Sequence, residues 1–175
     1  MTSAQASASI ARRDFSPMTP IEGGYKGFWN FESYWQSGKV FEGIPEKTTK
    51  QWWKEQKEPK RPYPDSKGKK VLYAKWEGNP EEMDYVTSRK KIYVPEYFNL
   101  MKNTESAIKL KEWVEKGNDI IVYDLDGPRN PDGTLATIEI TPQVLREKIN
   151  DPTFAFGHGY IVAAWLKGIE PEEYL

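Results

Sequence analysis

The chain lacks cysteine, has a single histidine, and contains no apolar run near the roughly 20 residues that a membrane-spanning helix needs. The first absence excludes disulfides, thiolate metal sites and a cysteine nucleophile, and the second excludes any site that needs two histidines. The N-terminal residues also lack the basic-then-apolar order of a secretory signal. We therefore predict no metal, no cofactor and no membrane partner, and a cytoplasmic protein, located in the host-cell cytoplasm if its source is a virus.

Neither sign of charge dominates, because 25 Lys and Arg stand against 26 Asp and Glu, a net charge of -1 over 175 residues. A contact with nucleic acid would therefore have to come from a local basic patch rather than from the chain as a whole. With 38% hydrophobic and 14% aromatic residues, the chain can bury a core. Its length fits one domain better than two.

The beginning of the chain differs in composition from the rest. Residues 1–20 are rich in Ser, Ala and Thr, contain Pro17 and Pro20, and show little periodicity. This composition predicts a flexible N-terminal arm. Residues 21–175 are predicted to form a single domain.

Periodicity, capping residues and turn residues predict the elements of that domain. The predicted helices cover about residues 31–41, a segment that begins near Pro80, residues 95–102, residues 105–116, a segment that opens at Thr141, and a segment that follows Gly159. The predicted strands cover residues 71–76, 119–124 and 135–140, and the strand over 119–124 is expected to be buried. The fold class is therefore α+β, a helix-rich single domain with a small β-sheet.

Glu32, Gln36 and Lys39 recur at positions i, i+4 and i+7 of the first predicted helix. This spacing places a carboxylate, an amide and an ammonium in one stripe beside aromatic residues such as Trp35. Such a stripe can line a pocket in which a base or a sugar stacks on rings while the polar groups address the bond to be broken. The alternative is that the three residues form the solvated side of an amphipathic helix.

Residues 45–70 are locally basic, with nine Lys and Arg against four Asp and Glu. Prolines predict that the segment is mostly loop. Its cations can contact phosphates, Lys54, Lys60 and Arg61 among them, while Trp52 or Trp53 stacks on a base. The alternative is a solvated surface loop whose tryptophans pack on the core.

Two aspartates, Asp124 and Asp126, follow the strongest predicted strand and precede Gly127. A similar pattern carries the nucleophile of haloacid-dehalogenase-like phosphatases. Too few residues follow for the further strands and ligands of such a parallel fold. We therefore favour Asp124 or Asp126 as a loop acid near a pocket or as a turn residue.

His158 lies between Gly157 and Gly159, directly before an apolar segment that is predicted to be helical. Backbone N–H groups at the start of that helix can hold a phosphate, with the imidazole as an additional donor. In the alternative interpretation the glycines serve a tight turn and the histidine is an exposed loop residue.

The segment from Trp29 to Phe41 resembles the signature helix of the NADAR family, in which an aromatic residue precedes a Glu-[His]-aromatic-aromatic-Gln-x-x-Lys-Phe pattern. The spacings of Glu, Gln and Lys match, whereas Ser33 stands where the family usually has His. Residues 156–159 and the apolar segment after them are similar to the family's Trp-Gly-x-Gly stretch and last helix. The similarity runs in order over about residues 25–168, with the basic stretch and the sequence after Asp124 as departures.

The resemblance implies a NADAR-like fold and an N-glycosidase that cleaves the ribose–base bond of an ADP-ribose-linked or other nucleotide-derived substrate. The family includes ADP-ribosyl-guanine hydrolases and riboflavin-intermediate glycosidases. Glu32 would stabilise positive charge on the ribose or take a proton. Lys39 would form a Schiff base with the opened sugar if neutral, or hold a phosphate or ribose oxygen if charged.

The remaining candidate site residues would bind the substrate: Trp29, Trp35, Gln36, Asp126, Gly157, His158 and Gly159. The implied partner is a nucleotide-like small molecule or an ADP-ribosylated nucleic acid. Two other functions stay open. The first is a non-catalytic protein that binds or sequesters a nucleotide or ADP-ribose, and the second is an interaction module that uses the basic, tryptophan-bearing segment.

Overall fold

The computed structural model describes residues 9–175 and has an α+β fold with a three-stranded antiparallel sheet. The chain divides into two compact units, each held together by contacts among its own residues. Pro17–Ser88 form one, called the sheet unit below. The helical unit comprises Arg89–Leu175 together with the described residues before Pro17. The prediction of one domain over residues 21–175 stays a prediction.

The sheet unit contains three helices and the sheet, in the chain order α2 (Phe31–Ser37), β1 (Lys39–Phe41), α3 (Glu46–Glu55), β2 (Val71–Trp76), β3 (Asn79–Met83) and α4 (Tyr85–Ser88). A short 3-10 turn covers Pro64–Ser66. The strand order is β1-β2-β3, so β2 is central. Lys39 pairs with Ala74, and Ala74 also pairs with Met83.

Asn30 fixes the start of α2. Its Oδ1 accepts a hydrogen bond from the Ser33 N–H at 2.8 Å, and its Nδ2 donates to the Met18 carbonyl at 3.0 Å. The side chain is buried. One residue thus caps the helix and ties its first turn to the chain segment that precedes it.

The end of α2 is fixed by a close approach between Gly38 and the ring of Trp76. A Cβ atom at Gly38 would overlap the indole of Trp76. Trp76 also stacks on Trp35, with 5.2 Å between ring centroids, and its Nε1 donates to the Tyr34 carbonyl at 2.9 Å. Only glycine fits between helix and ring, and the chain leaves the helix there to enter β1.

The helical unit contains α1 (Ile10–Phe15), a π-helical turn (Arg89–Tyr93), α5 (Val94–Met101), α6 (Glu105–Glu115), α7 (Pro142–Asn150), α8 (His158–Lys167) and a 3-10 turn (Pro171–Glu173). Helix α6 packs against α1 and α8, and α8 also packs against α5. The core is apolar and includes fully buried Val94, Leu145, Ile149 and Ile161. Thr104 and Thr141 cap α6 and α7.

Buried and half-buried polar side chains connect the parts of the helical unit. The Tyr97 hydroxyl donates to the Phe15 carbonyl at 2.6 Å, and the Asp14 carboxylate accepts from the N–H of Ser106 at 3.0 Å. Arg89 is buried and donates to the carbonyls of Ile149, Asp151 and Phe154. Its guanidinium thereby satisfies the carbonyls at and beyond the end of α7.

Several sequence predictions are confirmed. The α+β class, the strand over 71–76, and the helices over 95–102 and 105–116 are present, as are the helix that opens at Thr141 and the last helix. Gly168 ends α8 in the left-handed conformation, with φ of 83°. These elements have strong local signals, either a cap, a helix-starting proline or an apolar-rich run with β-branched and aromatic residues.

Three predictions for the sheet unit are wrong. The helix predicted over 31–41 ends at Ser37, because Gly38 packs on Trp76 and Val40 pairs with Tyr73 in the sheet. The basic segment predicted to be mostly loop contains α3, which Pro45 precedes and whose Trp53 is buried. The helix predicted from Pro80 is strand β3, which pairs with β2 across a turn at Gly78.

The strands predicted over 119–124 and 135–140 are also wrong. Within residues 9–175 both segments lie outside any strand ladder, and an isolated bridge joins Arg129 to Leu135. The segment over 119–124 is not buried as a whole, since Ile121 is 78% exposed. β-propensity favours extended backbone but does not supply a partner strand.

The predicted arm over residues 1–20 falls partly outside the described residues, which begin at Ser9. Its described part includes α1 and the buried side chains of Phe15 and Met18. Among the helices of residues 9–175, none combines the length and apolar character that crossing a membrane requires.

Candidate functional site

The first candidate site lies in the sheet unit, on α2. Glu32 and Gln36 are both half-buried, and Gln36 Nε2 donates to Glu32 Oε1 at 2.8 Å. The backbone N–H of Glu32 donates to the Pro17 carbonyl at 2.9 Å, which anchors the first turn of the helix. The amide of Gln36 therefore holds the carboxylate of Glu32 in one orientation while leaving it partly accessible.

Lys39 lies beyond the end of α2, as the first residue of β1. The prediction that Glu32, Gln36 and Lys39 form one stripe on a single helix is therefore wrong. The structure nevertheless keeps Lys39 and Glu32 within electrostatic reach of each other. Burial lowers the pKa of Lys39 below the ordinary lysine value, and the carboxylate of Glu32 acts in the opposite direction. A desolvated amine beside a carboxylate is an arrangement that can supply a nucleophile.

The two rings predicted to stack on a ligand belong to the same unit as this group. Trp35 is buried and stacked on Trp76, so its ring is committed to the core of the unit. Trp29 is half-buried and leaves part of its ring accessible. Of the two predicted stacking residues, Trp29 has the accessible surface that a ligand ring would need.

The basic segment splits into a helical part and an exposed part. Trp53 on α3 is fully buried, and Trp52 packs edge-on against Trp53 and Tyr63. Of the two tryptophans predicted to stack on a base, Trp53 is excluded because its ring belongs to the core, as in the alternative interpretation, and stacking by Trp52 stays a prediction. Lys54 pairs with Glu77 at 3.1 Å and lies over the ring of Phe28.

Lys60 and Arg61 follow α3 and are exposed. Lys60 pairs with Glu58 at 3.2 Å. Exposed ion pairs are weak and are readily exchanged for a phosphate contact.

The second candidate group lies in the helical unit, where Asp124 meets the start of α8. Its Oδ2 accepts from the Gly159 N–H at 2.8 Å and lies 3.5 Å from His158 Nδ1, and its Oδ1 accepts from the Asp126 N–H at 3.3 Å. The aspartate therefore caps α8 from outside the helix. The Gly159 N–H that was expected to hold a phosphate already has this partner.

Gly157 and Gly159, on either side of His158, have no room for a side chain. A Cβ atom at Gly159 would lie 2.6 Å from the Cβ of Asp124, and one at Gly157 would lie 2.8 Å from the Cβ of Asp126. His158 itself is half-buried and packs edge-on against Tyr97. Asp126 is exposed beside this turn.

Sequence reasoning missed the role of Asp124 as the partner of His158 and Gly159, which are 34 and 35 positions further along the chain. The sequence contained part of the signal. The helix after Gly157 starts without a capping side chain of its own, so its first N–H groups need a hydrogen-bond acceptor from elsewhere in the chain. Nothing in the spacing identifies which acid supplies it. Within residues 9–175, no three His, Asp or Glu side chains gather as a metal ion would need.

Comparison of the chain with known protein families, with curated proteins and with solved structures finds no match.

Proposed function

We propose that the protein is an N-glycosidase that cleaves the ribose–base bond of an ADP-ribose-linked or other nucleotide-derived substrate, with Glu32 and Lys39 as catalytic residues. One observation carries the proposal: Lys39 is half-buried and lies within electrostatic reach of the carboxylate of Glu32. Its burial lowers its pKa. The resemblance of residues 29–41 to the NADAR signature supports the choice of substrate class.

In the proposed reaction the neutral amine of Lys39 attacks C1 of the ribose. The C1–N bond breaks, and the base leaves with its electron pair while Glu32 takes a proton from the substituted amine and passes it to the base. The C1–O bond of the sugar ring then opens, Glu32 passes the second amine proton to the ring oxygen, and a Schiff base joins Lys39 to C1. Water then hydrolyses the Schiff base, which releases the sugar with its remaining substituents, ADP-ribose in the case of an ADP-ribose-linked substrate, and restores the amine.

Gln36 positions Glu32 in this scheme through their 2.8 Å hydrogen bond. The carboxylate also stabilises positive charge that develops on the ribose as the C1–N bond lengthens. If Lys39 stays charged, it instead holds a phosphate or ribose oxygen and water is the nucleophile.

The test uses NAD and an oligonucleotide that carries ADP-ribose on guanine, with products identified by mass. Glu32→Gln and Lys39→Met are expected to reduce turnover by at least about a hundredfold, in the range found for general acid–base groups. Treatment with borohydride during turnover is expected to trap the sugar on the wild type and not on Lys39→Met. The trapped mass distinguishes the Schiff base from attack by water.

The matched control is the pair of Glu46 and Lys50 on α3, which lie 3.0 Å apart in the same unit. Glu46→Gln and Lys50→Met remove the same charges and should leave turnover unchanged. Binding of either substrate without cleavage by the wild type would favour a sequestering protein instead. Full turnover in Glu32→Gln would rule out the proposed role of the carboxylate.

A further inference from the structure

The helical unit contains a cavity of about 800 Å³ that the proposed reaction does not use. Two segments without helix or strand, residues 118–124 and 135–140, supply its walls. Helix α8 supplies its floor through residues such as Ala163 and Leu166. The size falls in the range of ligand-binding cavities, about 300 to 1,000 Å³.

The walls of the cavity carry backbone groups that have no partner among the described residues. Across residues 9–175, no backbone hydrogen bond involves residues 119–122 or 137–139, and Ile140 is bonded only through its carbonyl, which accepts from Lys167 Nζ at 2.8 Å. In residues 119–124 and 136–140 the backbone nevertheless forms no helix, turn or bend, and both stretches are rich in β-branched residues. Side chains alternate along the first segment, since Ile121 is exposed while Ile120 and Val122 are half-buried.

Extended backbone with free N–H and C=O groups is the surface to which another strand adds. We propose that this cavity binds an extended, apolar peptide segment of a partner protein, which lies between residues 119–122 and 137–140 and hydrogen-bonds to both. In this arrangement the peptide completes a three-stranded sheet on α8. Recognition by strand addition derives affinity from main-chain hydrogen bonds and specificity from alternate side chains.

The volume agrees with this occupant. A residue in a sheet takes about 3.3 Å of length, 4.8 Å of width and 10 Å of thickness, so five residues fill about 800 Å³. An acyl chain of similar volume would remove water from the backbone groups of the walls without replacing their hydrogen bonds, which is unfavourable. The chemistry of the walls therefore favours a peptide over a lipid.

The lining also specifies the side chains of the peptide. Because Ala163 and Leu166 on the floor are apolar, we expect apolar side chains on the side of the peptide that faces α8. Glu139 pairs with Lys167 at 2.7 Å, whereas Asp119, also in the lining, adds a further negative charge. A basic residue at the end of the peptide near Asp119 is therefore favoured over an acidic one.

Hydrogen exchange of the full chain tests the proposal, with the peptide acetyl-Val-Thr-Val-Ala-Val-Lys-amide as probe. In the free protein the amides of residues 119–122 and 137–140 should exchange rapidly. Saturating peptide should slow them at least about tenfold. The same peptide with alternate N-methyl groups has lost the donors on one edge, and it should bind at least tenfold more weakly.

Two variants of the lining and one control separate this site from the rest of the molecule. Ala163→Trp fills the cavity, and Ile138→Pro removes one N–H from its wall without removing a hydrogen bond of the described residues. Each should weaken peptide binding at least tenfold. Ala155→Trp, an equal enlargement at an exposed position, should not weaken it.

Four results would overturn the proposal. Slow exchange of the wall amides in the dilute free protein would mean that the segments already have partners. Equal binding of the N-methylated peptide, or preferential binding of hexadecanoate, would make the cavity an apolar small-molecule site. Protection that rises with protein concentration alone would assign the surface to a second copy of the chain.

Discussion

At the scale of single residues, opposing effects decide the state of Lys39. Burial disfavours its ammonium form, while the carboxylate of Glu32 favours it, and burial is the larger effect. We expect Lys39 to titrate below the surface lysines when the ammonium signals are followed by NMR. Glu32→Gln removes the opposing effect and should lower the pKa of Lys39 further.

Glu46→Gln provides the comparison, because that carboxylate pairs with Lys50 rather than with Lys39. It should leave the titration of Lys39 in place. A pKa of Lys39 that stays the same or rises in Glu32→Gln would contradict the electrostatic contact between the two residues.

The same titration affects stability with a defined sign. Between the lowered pKa of folded Lys39 and the ordinary value of 10.5, the unfolded chain holds more protons than the folded chain. The contribution of Lys39 to the free energy of unfolding therefore rises with pH in that window and is constant below it. The difference in the free energy of unfolding between the wild type and Lys39→Met, measured in urea, should shrink as the pH approaches 10.5.

At the scale of elements, Gly38 sets the boundary between α2 and β1. Its φ and ψ of -73° and -23° suit any residue, so alanine would ordinarily stabilise this position by roughly 0.5 to 1 kcal/mol. Because its Cβ would overlap Trp76, we expect Gly38→Ala to destabilise the protein by about 1 to 3 kcal/mol. The sign of the change in urea unfolding decides between the two effects, and a gain in stability would contradict the packing described for Trp76.

Local signals explain which elements were predictable. Thr104 and Thr141 are capping residues that precede helical periodicity, and they mark the starts of α6 and α7 correctly. The run Val71–Trp76 is a strand because its β-branched and aromatic residues also find neighbours in β1 and β3. In these cases local preference and tertiary contacts agree.

The failures have the opposite cause, because tertiary contacts decided the outcome. Helical spacing continues past Ser37, but the ring of Trp76 stops the helix. Residues 119–124 have the strongest β-propensity of the chain and yet lack a ladder within the described part. In the candidate site, the order Glu32, Gln36, Lys39 was sufficient to find the group, but not to place Lys39 on a strand.

At the scale of the whole molecule, the distribution of charge matters more than its sum. The net charge is -1, yet residues 45–70 hold nine cations against four acids. Lys57, Lys60 and Arg61 in this segment are exposed. A polyanion would therefore be attracted to one part of the chain rather than to its whole surface.

This distribution predicts how a substrate attached to nucleic acid would bind. If the segment over 45–70 neutralises three or four phosphates, the affinity for single-stranded DNA should fall with salt, with a logarithmic slope of about -2 to -3. Replacing Lys57, Lys60 and Arg61 by Ala should reduce both the affinity and the slope. Replacing Lys91, Lys109 and Lys116 in the helical unit removes the same charge and should change the slope far less, because a local patch and not the net charge carries the binding. Equal slopes for the two triple variants, measured by fluorescence anisotropy, would show that the basic segment has no special role.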